Sequence, residues 1–265
     1  MAGGDEWPKD VGKFIVFQRE LGRGSYTMVR LGKNRETDAM VAVKMTKISV
    51  DVDSLFSEDE ILRKVAHPNI VPVVDAFTHD NVFYLITSFV DGGTLLDLIG
   101  RRRRICEPAA RDIFRQLAGA VAHCHACQVA HRDIKLENVM LDPESRVVLL
   151  DFGFAVIEQP TDPPQCLMSG SVDYAAPELI LVRAHSSFPV DVWALGVLLF
   201  VLVQGTYPFA GDPMTMRDSV RFASPRWRTP TSIDLSSLIN GMLAKDPKDR
   251  LTASAVLSHP WLAPA

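Results

Sequence analysis

Short apolar runs with strand character come first along the chain. Phe14-Ile15-Val16-Phe17, Met28-Val29-Arg30-Leu31, Val41-Ala42-Val43-Lys44 and Val82-Phe83-Tyr84-Leu85-Ile86 are rich in β-branched and aromatic residues, and Gly22, Gly24 and Gly32-Lys33-Asn34 punctuate them. Each predicts a strand. Residues 53–65 instead place Leu55, Phe56, Ile61, Leu62 and Val65 at helical spacing, so one helix interrupts a β-rich segment. Asp91-Gly92-Gly93 marks a hinge-like break, and after it residues 107–125, with Pro108 near the start, read as a long amphipathic helix. Residues 139–141 and 147–150 read as strands joined by the turn Asp142-Pro143-Glu144-Ser145, and residues 190–203, 235–243 and 252–257 as helices. The apolar run 192–203 falls short of the ~20 residues that cross a bilayer, which predicts a buried helix. No repeat or low-complexity tract appears. The fold class that follows is α+β: a β-rich N-lobe at about 14–90 with one key helix, after an extension at 1–13, and an α-helical C-lobe at about 91–262, with a cleft expected between them.

Charge and composition narrow the partners. The 265 residues carry 28 Lys and Arg against 32 Asp and Glu, a formal charge of −4, so no global basic field draws nucleic acid or anionic lipid, and neither is expected as a partner. Four cysteines, Cys106, Cys124, Cys127 and Cys166, are too few and scattered for a disulfide framework. The N-terminal residues show no basic start followed by an apolar stretch, and Ala2 stands where myristoylation demands glycine. The cytoplasm is the expected location, with the nucleus as the alternative, and a monomer the expected state.

Candidate chemistry gathers at three places. Leu21-Gly22-Arg23-Gly24-Ser25-Tyr26-Thr27 sets two glycines between strands, where backbone amides can approach phosphate oxygens, although a plain hairpin turn fits the same residues. The G-x-x-x-x-G-K-[ST] pattern is absent, and a strand follows where a dinucleotide fold would place a helix. Lys44 ends an apolar strand and needs an acidic partner, which Glu58 or Glu60 on the following helix can supply; a snorkelling edge lysine is the bland reading. Third, His131-Arg132-Asp133-Ile134-Lys135-Leu136-Glu137-Asn138, followed by Asp151-Phe152-Gly153, packs a base (Asp133), a cation (Lys135) and two hard-oxygen Mg²⁺ ligands (Asn138 and Asp151) into a short stretch.

With Ala176-Pro177-Glu178, Asp191-Val192-Trp193-Ala194-Leu195-Gly196 and Arg250 in order beyond these, residues 14–262 resemble the eukaryotic protein kinases. Lys135 and Gly170-Ser171 before Tyr174 resemble the serine/threonine branch. Gln128 to Asp133, Phe154-Ala155 after Asp151-Phe152-Gly153, Tyr174 to Glu178 and His259-Pro260-Trp261-Leu262 resemble the calcium/calmodulin-dependent group, and faintly its testis-specific serine kinases. The resemblance implies a bilobal kinase fold and an enzyme that transfers the γ-phosphoryl group of Mg-ATP to Ser or Thr hydroxyls of protein substrates. Asp133 and Lys135 would be catalytic, Asn138 and Asp151 would hold Mg²⁺, and Leu21, Gly22, Gly24, Val29, Ala42, Lys44, Glu58, Thr87, Ser88, Val90 and Met140 would bind ATP. Glu58 is then preferred over Glu60, Thr87 is the gatekeeper, and Leu62, His131 and Phe152 stack as an internal column. Asp191 anchors the catalytic loop, and Arg250 pairs with Glu178.

Departures from the pattern carry expectations of their own. Thr27 replaces the third glycine. Leu167 stands where related kinases carry a regulatory Thr, so Arg132 is expected to lack the usual loop phosphate, and activity to be intrinsic or switched through Thr161, Ser169 or Ser171. Thr94 and Val201 occupy positions where basophilic relatives place acids, which leaves Glu137 and a modest basic preference; Met168, Val172 and Ala175 would line an apolar pocket for the residue after the phosphoacceptor. A scaffold pseudokinase is the alternative, opposed by the presence of Lys44, Asp133 and Asp151; a small-molecule kinase is opposed by Ala176-Pro177-Glu178. His123-Cys124-His125-Ala126-Cys127 has no second Cys pair and is read as core, and Arg101-Arg102-Arg103-Arg104 as a solvated corner.

Overall fold

The computed structural model describes residues 10–24, 27–48, 52–159, 161–163, 171–183, 185–209, 219–220 and 223–263. The chain divides into two units, one running to Ala66 and taking in Val71–Val90, the other made of His67–Ile70 and the chain from Asp91 onward.

The first unit is an antiparallel sheet of six strands, β1 (Asp10–Val11), β2 (Phe14–Arg23), β3 (Thr27–Asn34), β4 (Met40–Lys47), β5 (Val73–His79) and β6 (Val82–Ser88), in the order β1-β2-β3-β4-β6-β5. Helix α1 (Val52–Lys64) contacts β5. Alternation along the strands decides what is buried: Val41, Val43 and Met45 of β4 enter a core with Phe14, Val16, Met28, Tyr84 and Ile86, while Ala42 and Lys44 point to the opposite face. Strand β5 is not among those the apolar pattern predicts, because Asp75, Thr78 and His79 break its run at the edge of the sheet. It forms by closing a tight turn through Asp80 and Asn81, both at positive φ, onto β6.

In the second unit, α5 (Ser187–Gln204) is buried along nearly its whole length, which answers its even hydrophobicity. It contacts α3 (Glu107–Ala126) and α6 (Ile233–Met242), and α3 contacts α7 (Ala253–Leu257). The remaining elements are α2 (Leu95–Arg102), α4 (Pro177–Ile180) and the ribbons β7 (Val129–Ala130) with β10 (Val156–Ile157) and β8 (Val139–Leu141) with β9 (Val147–Leu149). Helix α2 also escapes the apolar pattern; Thr94 and Asp97 start it with a reciprocal capping box. His67–Ile70 departs from the continuous 14–90 range read for the N-lobe. Asn69 donates its side-chain amide to Val147 O at 2.7 Å and Gln116 Oε1 at 3.0 Å, and Ile70 bridges Leu149, so this segment belongs with β9 and α3.

Candidate active site

Register on the sheet gathers the first group of site residues. Gly22, Val29, Lys44 and Leu85 form one row across the strands, and Leu31, Ala42 and Thr87 form the row two residues along, so Val29, Ala42, Lys44 and Thr87 share the face opposite the sheet core. From that face Lys44 Nζ donates to Glu58 Oε1 at 2.9 Å and to Oε2 at 2.8 Å. Glu58 is buried and Glu60 exposed, so the choice between the two acids falls to Glu58. The pair keeps a cation at the end of an apolar strand with its direction fixed. Leu21 is exposed, and Gly24 N donates to Thr27 O at 2.9 Å across the loop tip, of which Ser25 and Tyr26 lie outside the described residues. Ser88 N is taken by Pro72 O and Phe89 N by Met40 O, whereas Val90 N has no backbone acceptor among the described residues.

The second group is built around Asp191 of α5. Its buried carboxylate accepts from the backbone N–H of His131 and of Arg132, both at 2.8 Å, and lies 2.9 Å from His125 Nε2. These bonds carry Arg132 through φ 66°, a left-handed conformation costly for a residue with a Cβ. Just beyond, Asp133 Oδ2 accepts from Lys135 Nζ at 2.6 Å and from Asn138 Nδ2 at 2.8 Å, while Oδ1 has no donor among the described residues. Asn138 Nδ2 also reaches Asp133 O at 2.8 Å. With its amide nitrogen spent there, the Asn138 amide oxygen is left as a ligand. Leu150 N donates to Asn138 O at 2.8 Å, which sets Asn138 beside the start of Asp151-Phe152-Gly153. His131 Nε2 meets Leu150 O at 2.9 Å, and its ring stands edge-on to Phe152 with centroids 4.6 Å apart. Leu62, the third member of the expected column, is buried in the first unit. Asp151 is exposed at φ 56°.

Neighbouring segments hold this loop from outside. Lys135 Nζ also reaches Ser171 Oγ at 3.3 Å, and Tyr174 OH accepts from Leu136 N at 3.3 Å. Burial drives the Tyr174 phenol far above its ordinary pKa, so it stays a neutral hydroxyl. Arg250 grips Glu178 with both guanidinium arms, at 2.7 and 3.0 Å, in full burial. Met140 on β8 is half-buried, and Leu141 N bonds to Gly93 O at 3.0 Å. A Cβ on Gly92 would run into Leu141 O, so the glycine read only as a hinge-like break is also what lets β8 lie against this turn.

Several expected positions turn out otherwise occupied. Val201 is buried in α5 and presents nothing to a substrate, and Thr94 spends its side chain on the α2 cap. Glu137 and Val172 are exposed and Ala175 half-buried. Thr161 sits exposed in the turn closed by Asp162 N to Gln159 O; Cys166, Leu167, Met168, Ser169 and Gly170 lie outside the described residues. The run 123–127 divides among separate tasks: His123 pairs with the His67 ring and the Cys127 thiol, Cys124 is core with its thiol pushed far up by burial, and His125 serves Asp191. Glu158 is a member the sequence reading missed: its Oε2 accepts from Ser187 N at 2.9 Å, tying the segment after β10 to the first turn of α5. Nothing local in the sequence marks it.

Comparison with known proteins adds a family match. Residues 15–262 match the protein kinase domain model. The serine/threonine-protein kinase SIK1 of Mus musculus is 34% identical over 266 residues, 98% of this chain and 34% of that protein. The probable serine/threonine-protein kinase MARK-C of Dictyostelium discoideum is 34% identical over 275 residues, 98% of this chain and 35% of that one. The hormonally up-regulated neu tumor-associated kinase of Homo sapiens is 35% identical over 269 residues, 96% and 37%. The chain thus spans about a third of the length of each of these three relatives.

Proposed function

We propose, from the premise that this chain belongs to the protein kinase family, that it is an ATP-dependent serine/threonine protein kinase. Kinases of this family use ATP with Mg²⁺ and act on proteins. The observation that carries the reading is the set of bonds at Asp133: one carboxylate oxygen is locked by Lys135 and Asn138, and the other is left for an incoming proton. A pseudokinase reading gains nothing here, since Lys44, Asp133 and Asp151 are all in place.

The residues fit the nucleotide and its metal. Asn138 offers an amide oxygen and Asp151 a carboxylate, the hard-oxygen set that suits Mg²⁺, and both stand on one short stretch closed by the Leu150 N to Asn138 O bond. Lys44, directed by Glu58, presents a fixed cation to phosphate oxygens, and Val29 and Ala42 offer apolar surface on the same sheet face to a purine. Bound Mg-ATP supplies the phosphoryl group and the charge neutralisation its transfer needs. Asp133 Oδ1 orients the substrate hydroxyl and takes its proton as the hydroxyl oxygen bonds to the γ-phosphorus; the bond from that phosphorus to its β-bridging oxygen breaks, ADP leaves, and the proton passes to solvent. Lys135 stays within reach of both Asp133 and the growing charge.

The same reading takes the enzyme as a monomer acting in the cytoplasm, with a modest basic preference read by Glu137. It needs no phosphate at position 167. The test is transfer of label from γ-labelled ATP to a Ser/Thr peptide library and to the protein itself, beside Asp133→Asn. Labelling that disappears in the variant is the expected result. A chain that neither binds Mg-ATP nor labels any peptide, both as purified and after treatment with an activating kinase extract, would overturn it.

A further inference from the structure

By composition alone Arg101-Arg102-Arg103-Arg104 is a solvated corner. The fold adds two facts to that run. First, the corner is fixed. Arg103 takes φ 63°, with its N–H on Ile99 O at 2.7 Å; Ile105 N bonds to Leu202 O at 2.9 Å; and Gly205, itself at φ 70°, packs so closely that a Cβ there would strike Arg103 O. The guanidinium stems therefore leave a rigid turn docked on the C-terminal end of α5.

Second, a distant segment brings more of the same charge to that end. Gln204, the last residue of α5, accepts on Oε1 from Arg228 N and Thr229 N, both at 2.9 Å, and Arg226 N bonds to Pro208 O at 3.1 Å. Arg101, Arg102, Arg103, Arg104, Arg226 and Arg228 are all exposed, and none has an ion pair among the described residues. Asp97, four residues before Arg101 on α2, bonds the Thr94 backbone N–H and hydroxyl and also feels the Arg101 charge, so Arg101 is offset in part. A chain of net charge −4 thus brings six exposed arginines, without an ion pair among the described residues, to the segments packed at one end of its central helix.

We propose that this corner is a docking site for an Asp/Glu-rich segment of a protein partner, separate from the catalytic loop. The residue type argues for carboxylates: every member is Arg, whose planar fork matches a carboxylate with two parallel bonds, and no lysine stands among them. Nucleic acid fits less well. Trp227, the aromatic residue between Arg226 and Arg228, is half-buried and already engaged with Phe200 at 5.0 Å between ring centroids, which leaves less of it for base stacking. A membrane fits less well too, because the corner itself offers arginines with no exposed large apolar residue between them to enter the lipid.

The test uses the whole chain and a fluorescein-labelled deca-glutamate peptide, followed by anisotropy at low and physiological salt. Wild type binds, and binding weakens as salt rises. Arg101→Gln/Arg102→Gln/Arg104→Gln weakens it about tenfold or more, and Arg226→Gln/Arg228→Gln weakens it by a smaller factor. Both variants keep wild-type labelling of a short neutral peptide substrate, which separates this site from the kinase reading. Equal binding by wild type and the triple variant would overturn the proposal. So would a duplex oligonucleotide or phosphatidylserine vesicles binding more tightly than the peptide through the same arginines.

Discussion

Asp191→Asn is the substitution that most directly tests how the catalytic loop is held. The side chain keeps its shape and loses its charge. In the wild type two backbone N–H groups and His125 converge on a carboxylate that is 1% exposed. An amide retains one acceptor oxygen and turns an NH₂ toward the second N–H, so one buried donor is orphaned and the surviving bonds lose their charge assistance. An orphaned buried donor costs about 1–3 kcal/mol, and weakening of the charge-assisted bonds brings the total to roughly 2–4 kcal/mol. The loss falls on His131 and Arg132, the two residues before Asp133, and Arg132 at φ 66° is released from a conformation that costs about 1–2 kcal/mol to hold. The general base then loses its fixed position, and a misplacement of about 1 Å costs on the order of a hundredfold in rate. The expected result is kcat down by about two orders of magnitude, with a smaller loss of nucleotide affinity, since the Lys44–Glu58 pair is untouched while Asn138, bonded to Asp133, loosens with the loop. Steady-state kinetics, nucleotide titration and thermal denaturation, run on one preparation, read all three quantities. A variant that melts lower yet turns over within about threefold of wild type would refute the positioning role and leave Asp191 a purely structural acid.

Glu178→Gln keeps one acceptor oxygen for the Arg250 guanidinium beside the Pro189 and Ala244 carbonyls and the Trp193 face, but turns an NH₂ toward its other arm and leaves the buried charge without a counter-charge, and is expected to cost about 3–5 kcal/mol in urea denaturation; a loss below about 1 kcal/mol would contradict the pairing. Val182 sits at φ 51° as the left-handed residue of a Schellman turn after α4, with Arg183 N on Glu178 O and Val182 N on Leu179 O, so Val182→Gly is expected to gain up to about 1 kcal/mol, and a lower melting temperature would count against strain there. Lys245 lies over Phe209 and Trp193, and burial, with the Arg250 charge, lowers it to about 8. Its ammonium is protonated in folded and unfolded chains alike below that pH, while between about 8 and its ordinary 10.5 only the unfolded chain keeps the proton, so stability contributed by this group rises with pH across that window. Lys245→Met should remove that rise, and parallel melting profiles of the two proteins from pH 7 to 10 would show that Lys245 is not its source.

What the sequence made legible is local. Strand alternation in Val41-Ala42-Val43-Lys44 suffices to put Ala42 and Lys44 on the face away from the core, and the order of Asp133, Lys135 and Asn138 places three interacting groups within one turn of chain. Choosing between Glu58 and Glu60 needed either the family resemblance or the helix itself, since both lie close to the same stretch of α1 and only Glu58 is buried against Lys44. What escaped depends on partners far along the chain. Asn69 looks like a loop residue until Val147 and Gln116 accept from it, and that is why His67–Ile70 leaves the unit in which its neighbours fold. Glu158 has no local signature because its partner is the N–H of Ser187, whereas the burial of Val201 follows from the even apolar run of α5 itself. The dependence runs inward. Asp133 is positioned by backbone bonds to Asp191, Asp191 by a helix with no solvent-facing stripe, and that helix by α3 and α6 packed on it. The groups that meet a substrate can be read one by one from sequence, but the precision with which they meet it belongs to residues that never touch it.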